Sequence, residues 1–85
     1  MDISKDEQRV LHALAKGGRI NADKTSSGRI LRVELITREG WELPGVPIRI
    51  FRKLKAKRAL SSRQGGPYRI TKRGLELVRS QLDNR

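Results

Sequence analysis

The stretch PIRIFRKLKAKRALSSRQGGPYRI, residues 47–70, decides the fold. Pro47 suits the first turn of a helix, where a missing amide hydrogen costs nothing, and the segment is expected to stay helical to about Arg58. At 100° per residue Ile50, Phe51 and Leu54 fall in one sector, whereas Arg49, Arg52 and Lys53 lie on the other side. The helix is therefore amphipathic, with a basic outer half. Beyond it, Leu60-Ser61-Ser62-Arg63 and Pro67-Tyr68-Arg69-Ile70 flank Gln64-Gly65-Gly66, whose glycines accept the positive φ angles of a tight hairpin turn. The stretch reads as a helix followed by a hairpin.

Upstream, Ser4 and Glu7 have the spacing of a capping box, which starts a helix by satisfying its first free amides reciprocally. Val10, Leu11 and Leu14 form the apolar stripe of that helix, and Gly17-Gly18 supplies its stop. Residues 29–36 are rich in branched side chains, and Leu31, Val33 and Leu35 alternate with Arg32 and Glu34 as in a half-buried strand. Thr25-Ser26-Ser27-Gly28 carries turn chemistry, so residues 18–24 are expected to pair back as a weaker strand with Ile20 and Ala22 facing the core. Residues 38–45 hold two glycines and a proline and read as a connection with Trp41 and Leu43 tucked underneath. Downstream, Thr71 caps a last helix whose buried stripe is Leu75, Val78 and Leu82, with fraying expected at 83–85. The expectation is one small α+β domain spanning residues 1–85, in the order helix-hairpin-helix-hairpin-helix.

Composition bounds the partner. A chain of 85 residues encloses a single apolar core. Its 20 Lys and Arg residues against nine acidic ones give a formal net charge of +11, which selects an anionic partner. With no cysteine there is no disulfide framework, thiolate zinc site or nucleophilic thiol, and a reducing cytoplasm fits. No run approaches the roughly 18 apolar residues of a membrane span, and the N-terminus lacks the layout of a signal peptide. A cytoplasmic protein without a membrane partner is expected.

The basic helix, the strand opened by Leu60, the glycine turn and Tyr68-Arg69-Ile70-Thr71 with Gly74 together resemble the wing region of winged-helix proteins. The helix before the wing would then be the recognition helix, and here it carries Arg49, Arg52, Lys53, Lys55, Lys57 and Arg58. Arg63 and Arg69 belong to the wing. A standard winged helix places another helix before this one, where this sequence offers a strand and the connection at 40–45.

A second resemblance covers nearly the whole chain. Asp6-Glu7-Gln8, Leu14-Ala15-Lys16-Gly17, Ser26-Ser27-Gly28-Arg29, Arg38-Glu39-Gly40, Phe51 with Lys53-Leu54-Lys55, Pro67-Tyr68-Arg69-Ile70 and Gln81-Leu82-Asp83-Asn84-Arg85 resemble, in that order, the YjhX toxin family. The resemblance implies a small toxin-antitoxin component that inhibits bacterial DNA topoisomerase I through protein contact, with an acetyltransferase-like antitoxin encoded beside it.

Catalysis finds no footing in the sequence. His12 is the only histidine and sits opposite the apolar stripe of its helix. The carboxylates Asp6, Glu7, Glu34, Glu39, Glu42 and Glu76 are scattered over separate elements, and neither Gly17-Gly18 nor Gly65-Gly66 leads into the Lys-Ser or Lys-Thr of a phosphate loop. No enzyme activity, metal, cofactor or small-molecule substrate is expected. The basic face has two readings, a solvated surface or an anion-binding one. About six neutralised phosphates would make log affinity fall with log salt at a slope near −5. Docking on an acidic protein surface would instead lean on an apolar anchor, for which Trp41 is the candidate when it is not simply core. A nucleic-acid-binding regulator is the alternative function.

Overall fold

The computed structural model describes residues 3–83, with side-chain surroundings from residue 3 to residue 80. Helix α1, Lys5–Ala15, begins at the expected capping box: the Glu7 amide donates to Ser4 Oγ and the Ser4 amide to Glu7 Oε1, both at 3.1 Å. Val10, Leu11 and Leu14 are buried along its inner stripe. The helix stops where Gly17 turns to φ 110°, its amide bonding Leu14 O at 3.0 Å and the Gly18 amide bonding Ala13 O at 3.2 Å.

Strands β1, Arg19–Lys24, and β2, Ile30–Ile36, pair antiparallel with Ile20 opposite Leu35 and Ala22 opposite Val33. The alternation expected for β2 fails at one residue. The register shifts between Asp23 and Lys24, so that Asp23 faces Arg32 and Lys24 faces Ile30. Leu31 is left without a partner in the ladder, as in a β-bulge, and is 57% exposed. A second correction concerns the connection. Residues 42 and 43 form a short strand β3, Glu42–Leu43, on the outer edge of β2. Leu43 packs against the core as expected, but Trp41 is 73% exposed. It closes the β2–β3 turn, where the Thr37 amide donates to Trp41 O at 2.7 Å and the Trp41 amide to Thr37 Oγ1 at 3.1 Å, and its ring is carried clear of the core.

Helix α2, Ile48–Ala56, buries Ile50, Phe51 and Leu54 and exposes Arg49, Arg52 and Lys53. Pro47 is its N-cap, one position earlier than the first turn, and the cap at the other end is Lys57. The expected second hairpin forms from β4, Leu60–Ser62, and β5, Tyr68–Ile70, with positive φ at Gln64 and Gly65 in its turn. The two hairpins are not separate. Ile20 pairs with Tyr68, joining everything into one five-stranded sheet in the order β3-β2-β1-β5-β4.

Helix α3, Lys72–Asp83, is capped by Thr71, whose Oγ1 accepts from the Gly74 amide at 3.1 Å and donates to Arg58 O at 2.7 Å. Gly74 is required by close approach: a Cβ there would sit 2.6 Å from Ala59 O. Leu77 and Val78 are buried while Leu75 is only partly so, which rotates the stripe away from the expected one. The expected burial of Leu82 and the fraying at 83–85 lie outside what the structure describes. The core gathers Phe51, Leu11, Leu14, Ile20, Leu35, Ile50 and Leu54 between the helices and one face of the sheet. The other face of β1 and β2 carries Asp23, Arg32 and Glu34, with Arg32 bridging Asp23 at 3.1 Å and Glu34 at 3.3 Å. The fold is thus small α+β, three helices on an antiparallel sheet, and differs from helix-hairpin-helix-hairpin-helix by the added β3. No helix among the described residues is long and apolar enough to cross a membrane.

Candidate basic interface

The net charge is distributed unevenly along the chain. Residues 43–75 hold ten of the 20 basic residues and none of the nine acidic ones, whereas residues 1–42 hold eight basic against seven acidic. Nearly all of the surplus therefore lies on α2, the β4–β5 hairpin and the start of α3. This partition is visible in the sequence, and it marks the same region as the helix periodicity.

Within that region the eight basic residues singled out by sequence fall into three groups. Arg49, Arg52, Lys53 and Lys55 are exposed on α2, and no described carboxylate forms an ion pair with them. Like charges at Arg49 and Lys53, one turn apart, oppose helix formation by a few tenths of a kcal/mol. Lys53 and Lys55 offset this by lying in the last turn, beside the negative end of the helix dipole. Arg58 is exposed just beyond the helix, at φ 60°.

Arg63 and Arg69 form the second group. Both are exposed, and with Ser61, Pro67 and Ile70 they line a shallow cleft of about 510 Å³ on the hairpin. Arg69 pairs across the ladder with Ser61 and alternates with Tyr68, so it points away from the core.

Lys57 stands alone. It is folded back onto α1, its Nζ 2.5 Å from Glu7 Oε2, with side chains only 21% and 4% exposed. Burial pushes the Glu7 carboxyl up, but the hydrogen bonds from Lys57 and from the Ser4 amide outweigh it and hold the group below the usual carboxylate range. The charge of Lys57 is spent on locking the start of α1 to the end of α2. Sequence periodicity groups it with the solvent-facing cations because its partner lies 50 residues away.

One cation near this region has no sequence signal at all. Lys24, from the end of β1, holds its Nζ 5.7 Å from the centre of the Tyr68 ring, and Lys55 approaches the same ring at 5.5 Å. Lys24 arrives there only through the pairing of Ile20 with Tyr68. His12 is exposed on α1, and no three His, Cys, Asp or Glu side chains cluster among the described residues.

A family model described as "Putative toxin of bacterial toxin-antitoxin pair" matches residues 1–85. The chain belongs to the YjhX toxin family. A UPF0386 protein of Chelativorans sp. is 59% identical over 85 residues, covering all of both chains. One from Mesorhizobium japonicum is 63% identical over 78 residues, which are 92% of this chain and 79% of that protein. One from Rhodospirillum centenum is 58% identical over 85 residues, all of this chain and 99% of that one. No solved structure matches the chain. Membership in the YjhX toxin family implies an antitoxin partner.

Proposed function

We propose that the chain is a toxin that acts by binding rather than by catalysis, and that its target is bacterial DNA topoisomerase I in the cytoplasm. The contact surface is α2 with the β4–β5 wing, through Arg49, Arg52, Lys53, Lys55, Arg58, Arg63 and Arg69, and an acetyltransferase-like antitoxin is the neutralising partner. The observation that carries this reading is the +10 run at residues 43–75, which lacks any carboxylate to satisfy it internally. The exposed Trp41 supports a protein target, since a large aromatic held outside the core on a hydrogen-bonded turn is a ready anchor. Lys57 is left out of the surface because Glu7 holds it.

A second reading has an observation of its own. Helix α2 leads directly into the β4–β5 hairpin, which stands beside β1 in the sheet, and this order supports a winged-helix reading in which β2 and β3 take the place of another helix. An exposed cationic helix next to a basic hairpin also fits the phosphates of duplex DNA.

Titrating the purified chain against topoisomerase I and against duplex DNA, each over a series of salt concentrations, separates the two. Inhibition with a shallow salt response supports the topoisomerase reading, and binding to DNA alone overturns it. A triple variant carrying Arg49→Glu, Arg52→Glu and Lys53→Glu should lose at least tenfold in affinity for either target and still fold, because all three side chains are exposed. Undiminished binding by that variant rejects the surface.

A further inference from the structure

The pairing of β1 with β5 is limited to Ile20 and Tyr68. Beyond that point residues 21–24 and the wing turn at 65–67 diverge and leave a cleft of about 370 Å³ between them, open to solvent. Asn21 and Lys24 line it from β1, and Gly65, Gly66 and Tyr68 from the wing. We propose that this cleft seats one phosphate group of a nucleic-acid backbone, held by Lys24 and Lys55 over the Tyr68 ring. The proposal rests on the second reading above and extends the basic surface to a strand outside the charged run.

Three features support it. Tyr68 is held in place: it is buried and its ring meets Phe51 edge-on, with centroids 4.9 Å apart and planes at 87°. Two ammonium groups approach that ring, Lys24 from the cleft lining at 5.7 Å and Lys55 from outside the lining at 5.5 Å, so they lie no more than about 11 Å apart, within the swing of flexible lysine stems. Neither is paired with a described carboxylate; Asp23, next to Lys24 in sequence, is engaged by Arg32, and Glu34 by Arg32 and the Asn21 side chain. Two like charges brought to one ring without an acid between them repel each other until an anion arrives. Finally, the wall is thin. Gly65 has φ 73° and nothing within 4 Å of where a Cβ would be, so a backbone can approach the wing turn closely. The volume suits a tetrahedral phosphate with part of its sugar, and the surrounding charge favours a polyanion over one isolated carboxylate.

The test uses the full chain with Lys24→Gln, Lys55→Gln and the double variant, measured for binding to a short duplex by fluorescence anisotropy across a NaCl series. Lys16→Gln, at an exposed lysine that caps the end of α1 and does not line the cleft, controls for the loss of net charge. The double variant should make the slope of log affinity against log salt shallower by about one, the share of one phosphate, and weaken low-salt binding roughly tenfold. In parallel, inorganic phosphate added to the isotope-labelled wild type should shift the amides of Lys24, Gly65 and Tyr68 saturably. If the double variant behaves like Lys16→Gln while the wild type binds DNA, the cleft is wrong and the DNA reading survives. If the wild type binds no duplex at any salt, both fall.

Discussion

Helices α1 and α2 end in the same hydrogen-bonded turn and differ in the residue placed at its left-handed position. In α1 that residue is Gly17, with the following amide bonding back to Ala13 O at 3.2 Å. In α2 it is Arg58 at φ 60°, with its own amide on Lys55 O at 3.0 Å and the Ala59 amide on Leu54 O at 2.9 Å. Both are Schellman closures, for which glycine is the unstrained choice. The contrast continues at the other ends. Helix α1 starts from a complete capping box with Asp6 and Glu7 in its first turn, while α2 starts from Pro47 with no side-chain cap and no acid. Helix α1 is therefore written by local rules, and α2 is held by what it buries, leaving its ends and outer face to cations.

That difference can be broken most forcefully at the core. Phe51→Ala removes the largest fully buried side chain and its edge contact with Tyr68, and should cost about 4 kcal/mol, enough to unfold much of a domain this small. If α2 were secured by its ends, chemical denaturation would show a far smaller loss. The ion pair between the helices comes next. Glu7→Gln should cost about 2–3 kcal/mol near neutral pH, because Lys57 loses its charged partner in a partly buried place. Since the Glu7 carboxyl is held below its ordinary value in the folded chain, its contribution is full above the unfolded value of about 4.3 and disappears as pH falls through the folded one. Acid denaturation curves of the two proteins should therefore converge only as pH falls through the lowered folded value; curves that stay parallel to the acid end would refute the role given to the pair. Ser4→Ala, which takes away only one cap acceptor of α1, should cost about 1 kcal/mol. A loss as large as that of Phe51→Ala would mean that α1 too depends on more than its local signals.

The same division explains what the sequence makes legible. Ser4 with Glu7, Gly17, Thr71 and the stripe Ile50, Phe51 and Leu54 act over one or two turns of chain, and each does in the structure what its spacing implies. Leu31 and Trp41 look like core residues by alternation and by chemistry. Their exposure follows from a register shift between β1 and β2 at Leu31 and from the hydrogen-bonded turn that Trp41 closes ahead of β3, neither of which alternation reveals. Lys57 is indistinguishable from its neighbours on a helical wheel until Glu7, 50 residues earlier, is brought beside it. Lys24 reaches Tyr68 only through a single bridge between distant strands. The concentration of charge at 43–75 and its division between helix and hairpin are readable, whereas the withdrawal of Lys57 from the helix group needs the fold.

The finest test of the comparison is Arg58→Gly, which gives α2 the closure that α1 has. An L residue in the left-handed region carries about 1–2 kcal/mol of strain. Glycine removes it but loses about 0.5–1 kcal/mol through the extra freedom of the unfolded chain, so the variant should gain roughly 0.5–1 kcal/mol in stability. Binding should move the opposite way. An exposed guanidinium at the junction of α2 and the wing is well placed to meet one anionic group, and its removal should make the salt slope for the target shallower by about one. Opposite signs in the melt and in the titration mean that strain is retained at Arg58 for the sake of the contact. A variant that is more stable and binds as tightly as the wild type would show that the arginine at this turn serves no partner, and the helix and wing groups of the basic face would then be separated between Lys55 and Arg63.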